Sequence, residues 1–416
     1  MSDAPGQLEI NRRRVIEAVR IAGRMARIEL AEATALSPAT VTALTAELIA
    51  EGFLEEASAP PVIGAARRGR PRVQLMLRPG AAHVAGVKIS MHQISVSISN
   101  FVGDLLGART VSVVASRRTP DEIAAMIDDA LRQAVAGLGL DLAEIDGVGV
   151  ALPGFVDSAT GISEWSPIFG HQRIDFGALM RRRLGRPVFV DNDANLATLA
   201  QQWFGHGKGL ANFITVTIEH GVGMGVVIDG RLYRGARGIG AEFGHMKMQR
   251  SGALCRCGQR GCIEAYLADY AILREASTFY PVTGIADPVR ANETLSALIA
   301  EARAGDDRIR AVYARAGEML GIGLSNLINV LGPDRIILTG MGVEAIDLFE
   351  GPMREALAAN TLSVSVAQTP VLVAPNSEAL WAHGAAALVL QRQSFAPRST
   401  RPAGAPPAPG QRRCSP

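Results

Sequence analysis

Cysteine is scarce in this chain and confined: of four in 416 residues, three lie between 255 and 262. That is not the pattern of a secreted disulfide framework. No run of 18 apolar residues free of charge occurs, so no membrane span is expected. The opening MSDAPGQLEINRRR has no apolar stretch after a basic start, so no signal peptide is read and a cytoplasmic location is expected. Charge of one sign is lacking too. Lys and Arg number 42 against 40 Asp and Glu, a net of +2. Taken whole, the chain is neither a basic chromatin-type protein nor an acidic disordered one. What is present is 48% hydrophobic residues, enough at this length for two or three domains with real cores.

The net charge is unevenly spread. Residues 60–80 hold five Arg and no acid, and residues 391–416 hold another five Arg and no acid. The stretch 81–390 is left mildly acidic, so ends and body are expected to do different jobs. The segment from about Gln391 is rich in Pro, Ala, Gly, Ser and Arg, and a disordered tail over 391–416 is expected.

Residues 10–56 carry three helical patterns: Asn11 to Ala22, Arg27 to Ala33, and a third from Pro38 to about Glu51. Ser37 suits the N-cap and Pro38 the first helical position, where a missing N–H costs nothing. Two short helices and a tight turn before a capped third helix form the helix-turn-helix pattern; a three-helix interaction module is the alternative. On the expected outer face of the third helix, Thr40, Thr42 and Thr45 sit among small alanines, with Ser37 at its start. No Arg or Lys lies there, so bidentate guanine reading is not expected from this helix. Strands at 53–57 and 73–77 make a hairpin, the wing of a winged helix-turn-helix, over 10–80. Between them runs Arg67-Arg68-Gly69-Arg70-Pro71-Arg72. An extended Arg-Gly-Arg fits a narrow A·T-rich minor groove, which makes Arg68 and Arg70 candidate DNA contacts; a solvated basic loop is the plainer reading. Arg12, Arg13 and Arg14 are candidate phosphate contacts that position without specifying sequence.

From residue 81 strands and helices alternate, and two segments look alike: VKIS-MHQISVSISNFVGD from Val87, and VTIE-HGVGMGVVIDGR from Val216. Each reads as three strands followed by helix and strand, a duplicated α/β unit with halves at about 81–190 and 191–390 and crossing helices at the C-terminal end. Asp191-Asn192-Asp193 follows a strand and opens a helix. An amide and a carboxylate side by side there suit neighbouring sugar hydroxyls, and an Asp can act as general base; an N-cap is the alternative. His245, Cys255, Cys257 and Cys262 fall within 18 residues. Three Cys and one His match a closed tetrahedral zinc site with no open position, hence a structural Zn2+.

Glu-x-Gly-His followed ten residues later by Cys-x-Cys-Gly-x-x-Gly-Cys-x-Glu resembles the ROK family (repressors, open reading frames, kinases), over about residues 10–390. The resemblance implies a duplicated actin-like (sugar kinase/ribonuclease H-like) fold in 81–390. It implies zinc on His245, Cys255, Cys257 and Cys262, and a sugar on Asn192, Asp193, Glu242, His245 and Glu264, with the Pro153-Gly154 turn nearby. It places Asp193 as general base if the chain were a kinase. The kinase phosphate loops are altered. The Asp-x-Gly-Gly-Thr-Lys stretch is replaced by Lys88-Ile89-Ser90-Met91-His92-Gln93, and Gly-Thr-Gly-Val-Gly by Glu219-His220-Gly221-Val222-Gly223. Backbone with bulky side chains cannot approach a triphosphate closely. The resemblance therefore implies a non-enzymatic, sugar-responsive transcriptional repressor of carbohydrate uptake or metabolism genes. Its partners would be a double-stranded DNA operator and a sugar effector, and it would act as a homodimer or homotetramer without a membrane. An ATP-dependent sugar kinase is the alternative.

Overall fold

A computed structural model describes residues 6–57, 72–113, 118–169, 173–236, 238–282, 288–362 and 369–395. The N-terminal region runs α1 (Gln7–Ala22), β1 (Met25–Ala26), α2 (Arg27–Thr34), α3 (Pro38–Ala50), β2 (Leu54–Glu56) and β3 (Gln74–Leu77). Ser37 caps α3 by accepting the Thr40 amide at 3.1 Å. Ala35 takes a left-handed φ of 53°, and this turn sets α2 and α3 115° apart. Val41, Leu44 and Leu48 bury the inner stripe of α3 against Val15, Val19 and Leu30. The strands form a sheet of order β1-β3-β2, every pair antiparallel. The two-residue β1 carries no periodicity, and the sequence gives no sign of it.

The body continues with β4 (His83–Ile89), β5 (Gln93–Asn100), β6 (Leu105–Ser112), α4 (Pro120–Ala136), β7 (Ile145–Leu152), the small hairpin β8 (Phe155–Asp157) and β9 (Ile162–Trp165), α5 (Phe176–Leu184) and β10 (Val188–Asn192). Next come α6 (Asp193–Phe204), β11 (Phe213–Ile218), β12 (Val222–Ile228), β13 (Arg231–Tyr233), α7 (Glu264–Leu267), α8 (Asp269–Ala276), α9 (Pro288–Ala304) and α10 (Asp307–Leu331). The last elements are β14 (Arg335–Thr339), α11 (Ile346–Asn360), β15 (Val371–Val373) and α12 (Glu378–Arg392).

Two five-stranded sheets result, ordered β10-β7-β4-β5-β6 and β13-β12-β11-β14-β15. In both, the first strand pairs antiparallel with the second and parallel with the fourth, so the same unit occurs twice. The duplication expected from the repeated segments is present. Each half has its own core, one around Val96, Ile127 and Val150, the other around Val216, Leu320 and Ile336.

Helix α12 lies on the first sheet and against α6. A Cβ at Gly149 would fall 1.9 Å from the Ala385 carbonyl, so glycine there is what lets the helix seat on the strand. The far end of α12 meets the N-terminal region. One apolar cluster holds Val15, Leu48 and Leu75 together with Val84, Phe101, Val389 and Leu390. Phe101 has Phe53 at 5.4 Å and Phe395 at 5.2 Å between ring centres. The expected disordered tail therefore begins too early. Gln391 and Arg392 continue the helix, Gln393 donates to the Asp146 carbonyl at 2.8 Å, and Phe395 packs. Phe395 and the polar contacts of Arg392, Gln393 and Ser394 together anchor these residues. The remainder of that tail, 396–416, lies outside the described residues. Among the described residues no single helix is long and apolar enough to cross a membrane.

Candidate functional site

The metal-ligating set comes together. The ligand atoms of His245, Cys255, Cys257 and Cys262 all lie within 4.8 Å of one another. Cys257 and Cys262 sulfurs are 3.7 Å apart, and Cys255 Sγ is 3.8 Å from His245 Nδ1. A tetrahedral ion with metal–sulfur bonds of about 2.3 Å demands edges of roughly 3.5–3.8 Å. The donor set thus fits such an ion. The Lys247 ammonium is 2.8 Å from Cys262 Sγ, where it would offset the charge of thiolates on a bound ion. Nδ1 is the His245 nitrogen that turns to the sulfurs.

The carboxylates expected to face the cleft surround this corner. Asn192 caps α6, its Oδ1 accepting from Ala194 and Asn195, while its Nδ2 donates to the Gly154 carbonyl at 2.9 Å. The cap and the site are one arrangement: Asn192 ties the Pro153-Gly154 turn to the start of α6. Gly154 has φ +107°, and a Cβ would sit 2.3 Å from the Trp165 carbonyl, so the turn requires glycine. Asp193, the first residue of α6, is desolvated, which pushes its carboxyl above the usual range against the pull of Lys88. Glu264 opens α7; its carboxylate accepts from the Val222 amide and the Tyr270 hydroxyl, each at 3.3 Å. Glu242 is exposed as a residue, yet its carboxyl is desolvated by the cleft wall and pushed up to about 7, with Asp193 and Glu264 adding and His245 opposing. Sequence reasoning missed an aromatic wall beside them. Phe155 lies 6.2 Å from His245 and 5.5 Å from Trp165 between ring centres. A Phe directly after Pro153-Gly154 was the available signal.

At the other end of the cleft Lys88 is 1% exposed. Its ammonium sits 2.8 Å from Glu378, 3.3 Å from Glu219 and 3.7 Å from the centre of the Trp381 ring. Burial opposes the charge, but Glu219 and Glu378 hold the lysine above its ordinary value. Burial in turn pushes Glu219 up to about 7 despite Lys88. Lys88 and Glu219 thus pair across the cleft, one from each half. Glu378 and Trp381 come from α12, far off in sequence, and no local pattern pointed to them.

The residues expected to face DNA divide. Ser37 and Thr42 are exposed and Thr40 half-exposed, with both Thr hydroxyls bonded locally, to Ser37 and to the Pro38 carbonyl, at 2.8 Å each. Thr45 is a correction: it is 0% exposed, takes a hydrogen bond from Arg27 and donates to the Thr42 carbonyl. It stands four residues after Val41 and three before Leu48, on the inner stripe. Arg12 is a second correction. It turns inward and binds both oxygens of Glu51, one at 3.0 Å, with Glu9 and Glu47 at 3.9 Å, which ties α1 to α3. A guanidinium so held has little left for a phosphate. Arg13 bonds Ser394 at 2.7 Å and pairs with Glu9, and Arg14 is exposed. Arg68 and Arg70 lie outside the described residues.

Comparison with known proteins adds three likenesses. A xylose repressor of Caldicellulosiruptor bescii is 26% identical over 354 residues, 84% of this chain and 87% of that protein. A glucokinase of Thermotoga maritima is 32% identical over 255 residues, 59% of this chain and 79% of that one. A solved ROK family transcriptional regulator shares the fold with a TM-score of 0.75 and 24% identity, covering 92% of this chain and 96% of its own. The repressor and the solved regulator match more residues than the body and tail supply, so their likeness takes in part of the N-terminal region; the glucokinase match is shorter than the body alone. The profile of the ROK family matches residues 84–392, and the chain belongs to that family.

Proposed function

We propose that this chain is a DNA-binding transcriptional regulator, a repressor of carbohydrate uptake or metabolism genes, whose operator affinity is set by a sugar in the cleft. One observation carries this reading above the others. The carboxylate end of the cleft keeps Asn192, Asp193, Glu242 and Glu264 together, while the phosphate end is filled by the Lys88–Glu219–Glu378 cluster. A sugar can be held by the first; a triphosphate would have to break the second and meet two carboxylates. The likeness to a named repressor through the N-terminal region supports the same reading.

In this reading the N-terminal region, 10–80, is a winged helix-turn-helix. The 115° angle between α2 and α3 supports it, falling in the range that such pairs adopt. The start of α3 enters the major groove with Ser37, Thr40 and Thr42, Arg13 and Arg14 approach phosphates, and Arg68 and Arg70 reach the minor groove. Residues 81–390 form the sugar-binding body, with Asn192, Asp193, Glu242, His245, Glu264 and the Gly154 turn around the sugar. The ion on His245, Cys255, Cys257 and Cys262 is a structural Zn2+, which fixes Glu264 and His245 relative to each other. The protein works in the cytoplasm as a homodimer or homotetramer, because operator half-sites demand paired reading heads at fixed spacing. A sugar that favours one closure of the cleft changes that spacing.

The test has two arms. A thermal-shift screen of hexoses, N-acetylated hexosamines and pentoses, D-xylose included, is followed by gel shift on the DNA upstream of the protein's own gene. One sugar is expected both to stabilise the protein and to change operator affinity, with Glu264→Gln abolishing both effects. ATP turnover with any of these sugars, lost in Asp193→Asn, would establish a kinase instead.

A further inference from the structure

The phosphate end of the cleft holds two histidines that the sugar and DNA readings do not use. His92 lies in the β4–β5 turn and His220 in the β11–β12 turn, the first hairpin turns of the two halves. Their rings meet across the cleft, centres 5.6 Å apart and planes at 70°. His92 Nδ1 and His220 Nε2 are both buried with no hydrogen-bond partner. His220 Nδ1 is engaged by Asp269 Oδ2 at 2.8 Å; burial pulls the imidazole down, but Asp269 and Glu219 hold it above its ordinary value, so an ion taken at Nε2 would release a proton.

We propose that His92 and His220 form a second metal site, distinct from the His–Cys cluster, that takes one divalent transition-metal ion between the two halves of the cleft. Three features converge on it. First, two imidazoles sharing a tetrahedral ion at metal–nitrogen bonds of about 2.0–2.1 Å place their ring centres roughly 5–5.5 Å apart. The observed pair needs only a small adjustment. Second, Asp269 behind His220 is the carboxylate–histidine arrangement that orients metal-bound imidazoles and raises their basicity. Third, carboxylates gather around the pair: Glu219, Glu378 and Asp269 lie beside it, with Lys88 and Arg256 as nearby cations. Among the described residues no third His, Cys or carboxylate joins the pair in a ready cluster, so the other positions would fall to solvent. Imidazole donors select Zn2+, Ni2+ or Cu2+ over Mg2+ or Ca2+. The ion would pin one half to the other independently of any sugar.

The probe is Ni2+ titrated calorimetrically into full-length protein already holding one zinc per chain, with zinc content and thiol titre followed in parallel. One further ion per chain is expected, with zinc and thiols unchanged. His92→Gln and His220→Gln should each weaken it by at least about tenfold, and Asp269→Asn by about 10–100-fold. His92 sits in a surface turn, so its variant keeps the test valid if His220→Gln does not fold. Absence of a second ion, equal affinity in His92→Gln, or nickel uptake matched by zinc loss would overturn the proposal.

Discussion

The Lys88 ammonium lies 2.8 Å from the Glu378 carboxylate, joining the fourth strand of the chain to its last helix across 290 positions. Glu219, from the opposite half, completes the contact. Three segments thus meet on one buried charge. Removing that charge leaves two carboxylates facing each other, so Lys88→Met should cost about 3–5 kcal/mol of stability. The triple variant with Glu219→Gln and Glu378→Gln should recover most of it. Urea unfolding of the two proteins measures this, and a Lys88→Met variant as stable as the parent would show the cluster to be idle.

The same cluster sets a pH dependence. Glu219 is pushed from 4.5 in the unfolded chain up to about 7 in the folded one. The folded state then holds a proton that the unfolded state has released, so this contribution is fully present below pH 4.5 and is lost as pH rises through about 7. Melting temperature, followed between those limits, should fall with rising pH, and Glu219→Gln should flatten the fall. An unchanged slope in the variant would assign the effect elsewhere.

Gly154 gives a test of the sugar corner. Gly154→Ala puts a methyl against the Trp165 carbonyl at a left-handed φ, at a cost on the order of 1–3 kcal/mol. The turn that Asn192 holds should shift, and sugar affinity should fall more than stability predicts. Calorimetric titration of the sugar found in the screen reads this directly; a normal affinity would free the turn of any role.

Metal content tests the His–Cys cluster. One tightly held zinc per chain is expected, absent in Cys262→Ser. Because a closed site is formed by folding, its loss should lower the melting temperature and the sugar affinity together. Retention of zinc by Cys262→Ser would remove that residue from the site.

Phe101 tests the joint between body and N-terminal region. Its ring is fully buried between Phe53 and Phe395. Phe101→Ala should cost about 3–5 kcal/mol. Ending the chain before Arg392 keeps Phe101 but removes Phe395 and the Arg392 contact with Ser158. Operator affinity measured with that shortened chain should drop while sugar binding persists. Unchanged DNA binding would show that the joint carries no information.

Much of this was legible before the fold was known, and the reasons differ by site. The Cys255–Cys262 cluster is local in sequence, so spacing alone assembled it. The repeated segments from Val87 and Val216 exposed the duplication because each half opens with three strands consecutive in both chain and sheet. The Ser37-Pro38 start of α3 was readable from cap chemistry. The misses were of two kinds. Thr45 and Arg12 were assigned outward from residue type, although helical phase puts Thr45 on the Val41–Leu48 stripe and Glu51 draws Arg12 in. Glu378, Trp381 and Phe395 were invisible because their partners are hundreds of residues away, a distance over which periodicity says nothing.

Helix α12 has a consequence in time as well as in space. It follows every other element named here in the chain, yet it seats on β4 and β7, closes on Lys88 at one end and braces Phe101 at the other. Contacts of such long sequence separation form late. Ribosome-bound chains that stop short of residue 378 should therefore leave residues 6–57 open to protease, and chains that include Phe395 should protect them. The N-terminal region thus acquires its fixed footing only after residues 378–395 have emerged.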